Sequence, residues 1–229
     1  MVDKVSRARK KELEQPDPFM ESMQAVGAYC AKHKKQVIWI SSIVVAVILV
    51  LSGVIYSIRS AEKNASTLLA ETLSRYTDTD PVKGYDAVKE DFKKILDKYS
   101  NTAAGRLARI DFAAISYNAS KFNTAHALYL HALGDFKDDP AMENLLLVSL
   151  GHTCQAEKKY DEAEKYFSTI VQGTLPFLKA EALFNLGLIK AAKGDKKGSL
   201  KMFKQIVAEY ADSMYKPLAE NRIINGNQS

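Results

Sequence analysis

Residues 37–58, VIWISSIVVAVILVLSGVIYSI, form a run of 22 in which 17 are apolar and none is charged. As a helix rising about 1.5 Å per residue this run is roughly 33 Å long, enough for a hydrocarbon core of about 30 Å. Inside lipid a lone segment satisfies its own backbone donors and acceptors only as a helix, so one transmembrane helix is expected. Two other readings fit less well. A buried helix of a soluble domain is shorter and keeps a polar face. A cleaved signal peptide has a short basic start, an apolar stretch of about 7–15 residues and a small-x-small cleavage site. Here 36 residues precede a longer run, and Ser57-Ile58-Arg59-Ser60 is a poor cleavage site. The helix is therefore expected to remain as an anchor.

Charge on the two flanks sets the expected orientation. Residues 1–36 carry eight Lys and Arg (Lys4, Arg7, Arg9, Lys10, Lys11, Lys32, Lys34, Lys35) against five Asp and Glu, whereas the far flank begins with Arg59, Glu62 and Lys63. The excess of basic residues before the run places residues 1–36 in the cytoplasm and 59–229 across the membrane. The overall charge of +5 thus reports topology and contact with anionic lipid; it is no sign of nucleic-acid binding, since residues 59–229 hold 24 basic against 22 acidic side chains. Within the first segment, Phe19, Met23, Val26 and Cys30 share one helical face after Gln15-Pro16-Asp17-Pro18. That face marks a short amphipathic helix at the headgroup surface, or a plain continuation of the membrane helix. Small residues at Ser42/Ala46 and Gly53/Ser57 leave homo-oligomerisation through the membrane open. With Cys30 and Cys154 on opposite sides of the membrane, no intrachain disulfide is expected.

Beyond the membrane the chain repeats itself. Four stretches align: Tyr85 to Phe92, Phe122 to Tyr129, Tyr160 to Phe167, and Lys196 to Phe203. Their closing aromatics fall at 92, 129, 167 and 203, intervals of 37, 38 and 36. Small and large residues recur with the same period. The third unit has Leu147, Leu150, Gly151 and Cys154, then Ala163, Phe167 and Ile170; the fourth has Leu183, Leu186 and Gly187, then Ser199, Phe203 and Ile206, with Gly194-Asp195 at the turn. The second has Phe112, Ala113, Ala125, Tyr129 and Ala132.

A period in the mid-thirties with two helices per unit resembles the tetratricopeptide repeat. The resemblance implies an all-α fold: a single N-terminal transmembrane helix followed by a tetratricopeptide-like helical-hairpin solenoid of about three and a half repeats. Residues 60–76 and 82–99 make a degenerate first unit, the latter opened by Asp80-Pro81, and 217–224 form a solvent-facing cap. The expected domains are 1–36 (cytoplasmic basic segment), 37–58 (transmembrane helix), 59–80 (membrane-proximal helix and loop), 81–224 (repeat domain) and 225–229 (polar tail). The layout is also similar to the YfgM-type proteins of the bacterial envelope, although the basic N-terminus with Pro16 and Pro18 departs from it. That resemblance implies a single-pass protein of the bacterial inner membrane, with a periplasmic repeat domain ancillary to the Sec translocon and periplasmic chaperones.

Catalytic chemistry is not legible. His33, His126, His131 and His152 stand at no ligand spacing to Cys, Asp or Glu, so no metal is expected, and no cofactor either. Gly194-Asp195-Lys196-Lys197-Gly198-Ser199 lacks the spacing of a phosphate loop, and no nucleophile elbow or Cys/His pairing appears. The chain is read as a non-enzyme. What remains is the inner face of the first helices, expected to present Ile110, Ala114, Tyr117, Val148, His152, Gln155, Phe184, Leu188 and Ala191 as a mostly apolar groove for a protein partner. The expected function is a membrane-anchored, non-catalytic interaction scaffold or chaperone-like adaptor. The alternative is a structural subunit of a cell-envelope assembly or division complex, its solenoid permanently packed, with the groove filled by residues 60–76 or a second copy.

Overall fold

The computed structural model of the chain describes residues 18–77, 80–176 and 178–226. Among these residues every regular element is a helix: α1 (Pro18–Lys32), α2 (Lys34–Arg75), α3 (Pro81–Tyr99), α4 (Ala103–Asn118), α5 (Phe122–Asp135), α6 (Pro140–Ala156), α7 (Tyr160–Gln172), α8 (Lys179–Ala192), α9 (Lys196–Glu209) and α10 (Tyr215–Gly226). The chain divides into two units between Arg59 and Ser60. Lys4, Arg7, Arg9, Lys10 and Lys11, and the last three residues of the polar tail, lie outside the described residues.

In the first unit the amphipathic pattern of α1 does form a helix, and Phe19, Met23 and Val26 are exposed along it. The His33 N–H donates to the Tyr29 carbonyl and the Val37 N–H to the His33 carbonyl, both at 3.0 Å. Helical hydrogen bonds therefore span His33, which separates α1 from α2. Helix α2 is long and apolar enough to cross a membrane, and none of its apolar window is buried within the protein. The Ser41 and Ser42 hydroxyls donate back to the Ile38 carbonyl at 2.9 and 2.8 Å, so neither leaves an open donor on this apolar surface.

The second unit is a series of helical hairpins. Residues of α2 beyond Arg59 bury Ala65, Leu69 and Thr72, three positions on one helical face. Leu69 packs with Val88, Phe92 and Ile95 of α3 and with Ala108, Phe112 and Ile115 of α4, so this helix end is the first helix of the first hairpin. Glu62 fixes it further: its carboxylate accepts from the Ala103 and Ala104 N–H groups at 2.7 and 3.0 Å, satisfying two free donors at the start of α4. The next hairpins are α4–α5, α6–α7 and α8–α9, and α10 closes the series with Ala219 packed on Leu183, Phe203 and Ile206. The closing helix is longer than the expected 217–224.

The hairpins α4–α5, α6–α7 and α8–α9 turn by the same device. Ser120, Lys158 and Gly194 have φ of 58°, 59° and 82°. After each, the next N–H reaches back five residues: Lys121 to the Ser116 carbonyl, Lys159 to Cys154 and Asp195 to Lys190, all at 2.8 Å. This is the Schellman closure, in which a left-handed residue pairs the last free carbonyls of a helix. Helix starts are fixed by side chains: Asp80, Thr102, Asp139 and Asp195 accept from the N–H groups of Lys83, Gly105, Ala141 with Met142, and Gly198 respectively.

Within a hairpin, helix separation is set by a ring lying on a glycine. A Cβ built on Gly151 would stand 2.6 Å from Cζ of Phe167, and one on Gly187 would stand 2.5 Å from Cε1 of Phe203. The equivalent pair in the second hairpin, Ala113 and Tyr129, is buried in one cluster. Gly151→Ala should therefore force the Phe167 ring outward and destabilise the protein by about 1–3 kcal/mol. Gly134, in α5, has nothing within 4 Å of a built Cβ, so Gly134→Ala should be neutral or stabilising by up to about 1 kcal/mol. Urea unfolding followed by circular dichroism distinguishes the two. The same measurement on Glu62→Ala should show a loss of about 0.5–2 kcal/mol, the size of a removed helix cap.

Candidate functional site

Where α4, α5 and α6 come together a hollow of about 350 Å³ remains, lined by Ala114, Tyr117, Asn118, Tyr129, Ser149 and His152. Its volume is at the lower end of the range used for ligand binding, about 300–1,000 Å³. The repeat explains the opening. The inner face of α4 carries a small residue at Ala114, and Ser149 occupies the facing position of α6, so no large side chain fills the gap. Five of the six lining residues carry a hydrogen-bonding group, although the surface they present to the hollow is more apolar than polar.

Tyr129 forms the floor. It is buried, and burial pushes its phenol above the ordinary tyrosine range, opposed by a hydrogen bond with Ser149. At the mouth, His152 Nε2 lies 3.1 Å from Glu181 of α8, and the His152 ring meets Phe167 edge-on with centroids 5.4 Å apart. Asp111, one helical turn before Ile115 on α4, is half-buried, and burial raises its carboxyl above the usual range.

Of the nine residues expected on the inner face, the structure gathers Ala114, Tyr117 and His152 around this hollow. Ile110 packs partly buried beside it against the cluster of Tyr129 and Leu150. Gln155 is half-buried on α6. Val148 is drawn into the core at 8% exposure, where α8 contributes Ala182 and Leu186 to the same cluster. Phe184 and Leu188 pack half-buried towards α10, and the Phe184 ring sits between Phe203 and Tyr215 at 5.5 and 5.4 Å. Ala191 lines a separate hollow of about 280 Å³ with Phe203 of α9 and Arg222 of α10. Tyr129, Ser149 and Asn118 are the lining residues that sequence reasoning missed. No residue of 60–76 lines the hollow.

A second cluster lies elsewhere in the repeats. His126 of α5, Cys154 of α6 and Glu162 of α7 each place a potential ligand atom within 4.8 Å of the other two. The Cys154 thiol donates to Glu162 Oε2 at 3.8 Å, and the Tyr166 hydroxyl lies 3.4 Å from His126 Nε2. Burial, reinforced by the Glu162 charge, pushes the Cys154 thiol up to about 11. The fold thus brings together three positions that are far apart in the sequence.

Helix pairing of this kind has a counterpart among known families. The family described as a tetratricopeptide repeat-like domain matches residues 28–182, more than half of the chain. The chain belongs to that family. A tetratricopeptide repeat family also matches residues 181–213, which span most of α8 and all of α9. No curated protein matches the chain. Tetratricopeptide repeats typically serve as protein-protein interaction modules. The first tetratricopeptide-like match begins ahead of the apolar part of α2, so that helix lies within the matched region.

The raised Asp111 carboxyl gives a stability signature with a definite sign. A carboxyl held above its unfolded value binds more protons in the folded state, so stability falls as pH rises through the ordinary carboxylate range near 4 and on to the raised folded value. Asp111→Asn removes the buried charge. Its unfolding midpoint should exceed that of the parent at pH 7 and match it near pH 3, as measured by thermal unfolding across pH.

Proposed function

We propose that this chain is a membrane-anchored, non-catalytic adaptor whose repeat domain holds a segment of a protein partner in the hollow of Ala114, Tyr117, Tyr129, Ser149 and His152. One observation carries the reading: an open hollow lined by hydrogen-bonding side chains stands on the inner helices, between the second and third hairpins. An extended or helical peptide supplies both apolar groups for Ala114 and Tyr117 and backbone groups for Ser149, Asn118 and His152.

Anchoring is supported by the exposed apolar surface of α2 and by the basic side chains ahead of it. On this reading residues 1–36 face the cytoplasm, the repeats face the periplasm of a bacterial inner membrane, and lipid covers residues 37–58. The resemblance of the layout to YfgM-type proteins supports a finer role beside the Sec translocon and its periplasmic chaperones. The competing reading, a subunit packed permanently into an envelope assembly, draws no support from residues 60–76, which pack on α3 and α4.

A photoreactive side chain at Tyr117, with one at the exposed Leu107 as reference, tests the adaptor in native membranes. The expected result is one discrete adduct at Tyr117, absent at Leu107 and lost when Ser149→Trp closes the hollow. Adducts containing only this chain, or equal adducts at both positions, would sink the adaptor reading. Alkaline phosphatase fused after Ser229 should be active if the repeats are exported, and inactive otherwise.

A further inference from the structure

Cys154 is one of only two cysteines in the chain, and it is fully buried, yet its sulfur does not face a purely apolar surround. It meets a carboxylate on the next helix and an imidazole on the preceding one. We propose that His126, Cys154 and Glu162 form a zinc site that joins the second hairpin to the third.

The donors suit this ion. Thiolate, imidazole and carboxylate oxygen are the three ligand types that Zn²⁺ takes from proteins, at about 2.3, 2.0–2.1 and 2.0–2.2 Å. Tetrahedral bonds of those lengths place ligand atoms roughly 3.3–3.6 Å apart. The Sγ to Oε2 distance of 3.8 Å is close to that spacing already. The widest separation of 4.8 Å closes by side-chain rotation, because Glu162 is exposed and His126 only half-buried. The rigid member is Cys154, held in the cluster of Phe167 and Ile170. The neighbouring Tyr166 hydroxyl, 3.4 Å from His126 Nε2, orients the imidazole as outer-shell groups do at metal centres.

Without a cation the cluster sets a thiol against a carboxylate, and an anion on sulfur would face an anion on Glu162. A divalent ion reverses that opposition: the thiol proton leaves to solvent, and both anions then face a positive charge. Three protein ligands leave a fourth position for water. The three donors come from α5, α6 and α7, so the ion bridges consecutive repeats and adds to the packing and hydrogen bonds between them. The site shares no residue with the hollow above, and its failure would leave the adaptor reading untouched.

The full chain in detergent, purified without a histidine tag and carrying Cys30→Ser so that Cys154 is the only thiol, is dialysed against Co²⁺ and then Zn²⁺. The expected result is one Co²⁺ per chain, with a thiolate-to-cobalt charge-transfer band and the strong visible absorption of a four-coordinate ion. Zn²⁺ should abolish both bands and raise the unfolding midpoint. Adding Cys154→Ser should remove the charge-transfer band, and His126→Gln or Glu162→Gln should each weaken binding by about tenfold or more. Circular dichroism of the metal-free variants identifies any that fail to fold, and the two conservative ligand variants provide independent readings. Absence of retained metal, a weak six-coordinate spectrum, or an unchanged band with Cys154→Ser would overturn the site.

Discussion

The contact between a ring on the second helix and a glycine on the first, Phe167 on Gly151 and Phe203 on Gly187, governs the rest of the repeat domain. A glycine inside a helix costs about 1 kcal/mol relative to alanine. Fully burying a phenylalanine returns about 1.5–3 kcal/mol, and here the ring can seat fully only because the Cβ is missing. Interhelix distance follows from that contact, and the offset of one hairpin on the next follows from the distance. The core is accordingly a chain of clusters, each shared between a hairpin and its neighbour: Phe92 with Phe112, Tyr129 with Leu146 and Leu150, then Phe167 with Leu186. The second hairpin departs in one respect that bears on function. Its ring is Tyr129 opposite Ala113, and the added hydroxyl meets Ser149 at the floor of the hollow.

Ionic contacts reinforce the junction between the third and fourth hairpins. Lys190 of α8 donates to Glu164 of α7 at 2.9 Å, and Lys193 donates to Asp161 and Glu164 at 2.6 and 3.0 Å. These hydrogen bonds hold the Glu164 carboxyl below its ordinary range. Much of this network is exposed, so solvent screens it and its contribution is modest. A different arrangement holds α4 to α5, where the buried Arg109 pairs with Asp135. There the pair matters through what its loss would leave behind, a guanidinium taken from water with nothing to answer it.

Period and hairpin order were legible because aromatic and small residues must recur wherever helices touch. The turn at Gly194 was legible too, since glycine advertises a left-handed backbone. Its equivalents at Ser120 and Lys158 were not, because those residues adopt the same φ without the composition that signals it. The first helix of the first hairpin was expected over 60–76 from its place in the order alone: Ala65, Leu69 and Thr72 make its inner face within one long helix, and no glycine marks the contact. Tyr117 and His152 were found because both lie on first helices. Tyr129 and Ser149 escaped, since one reaches the hollow from a second helix and the other is small and unremarked in a linear pattern. Val148 shares a helical face with His152, but the next hairpin covers it. The His126, Cys154 and Glu162 cluster is illegible in principle from spacing, since it is assembled by three helices.

The hairpin turns carry one more implication. Each of α4–α5, α6–α7 and α8–α9 is joined by three residues, whereas the connections that follow these hairpins run to four residues after α5, six after α7 and five after α9. The Schellman closure admits one length, because its left-handed residue and its five-residue hydrogen bond are counted from the helix end. From the second hairpin on, variation in the period is therefore expelled from the interior of the hairpins to the joints that follow them. Those joints are where an evolving chain of this kind can lengthen, acquire a new loop or change the pitch of the stack while every ring stays on its small residue.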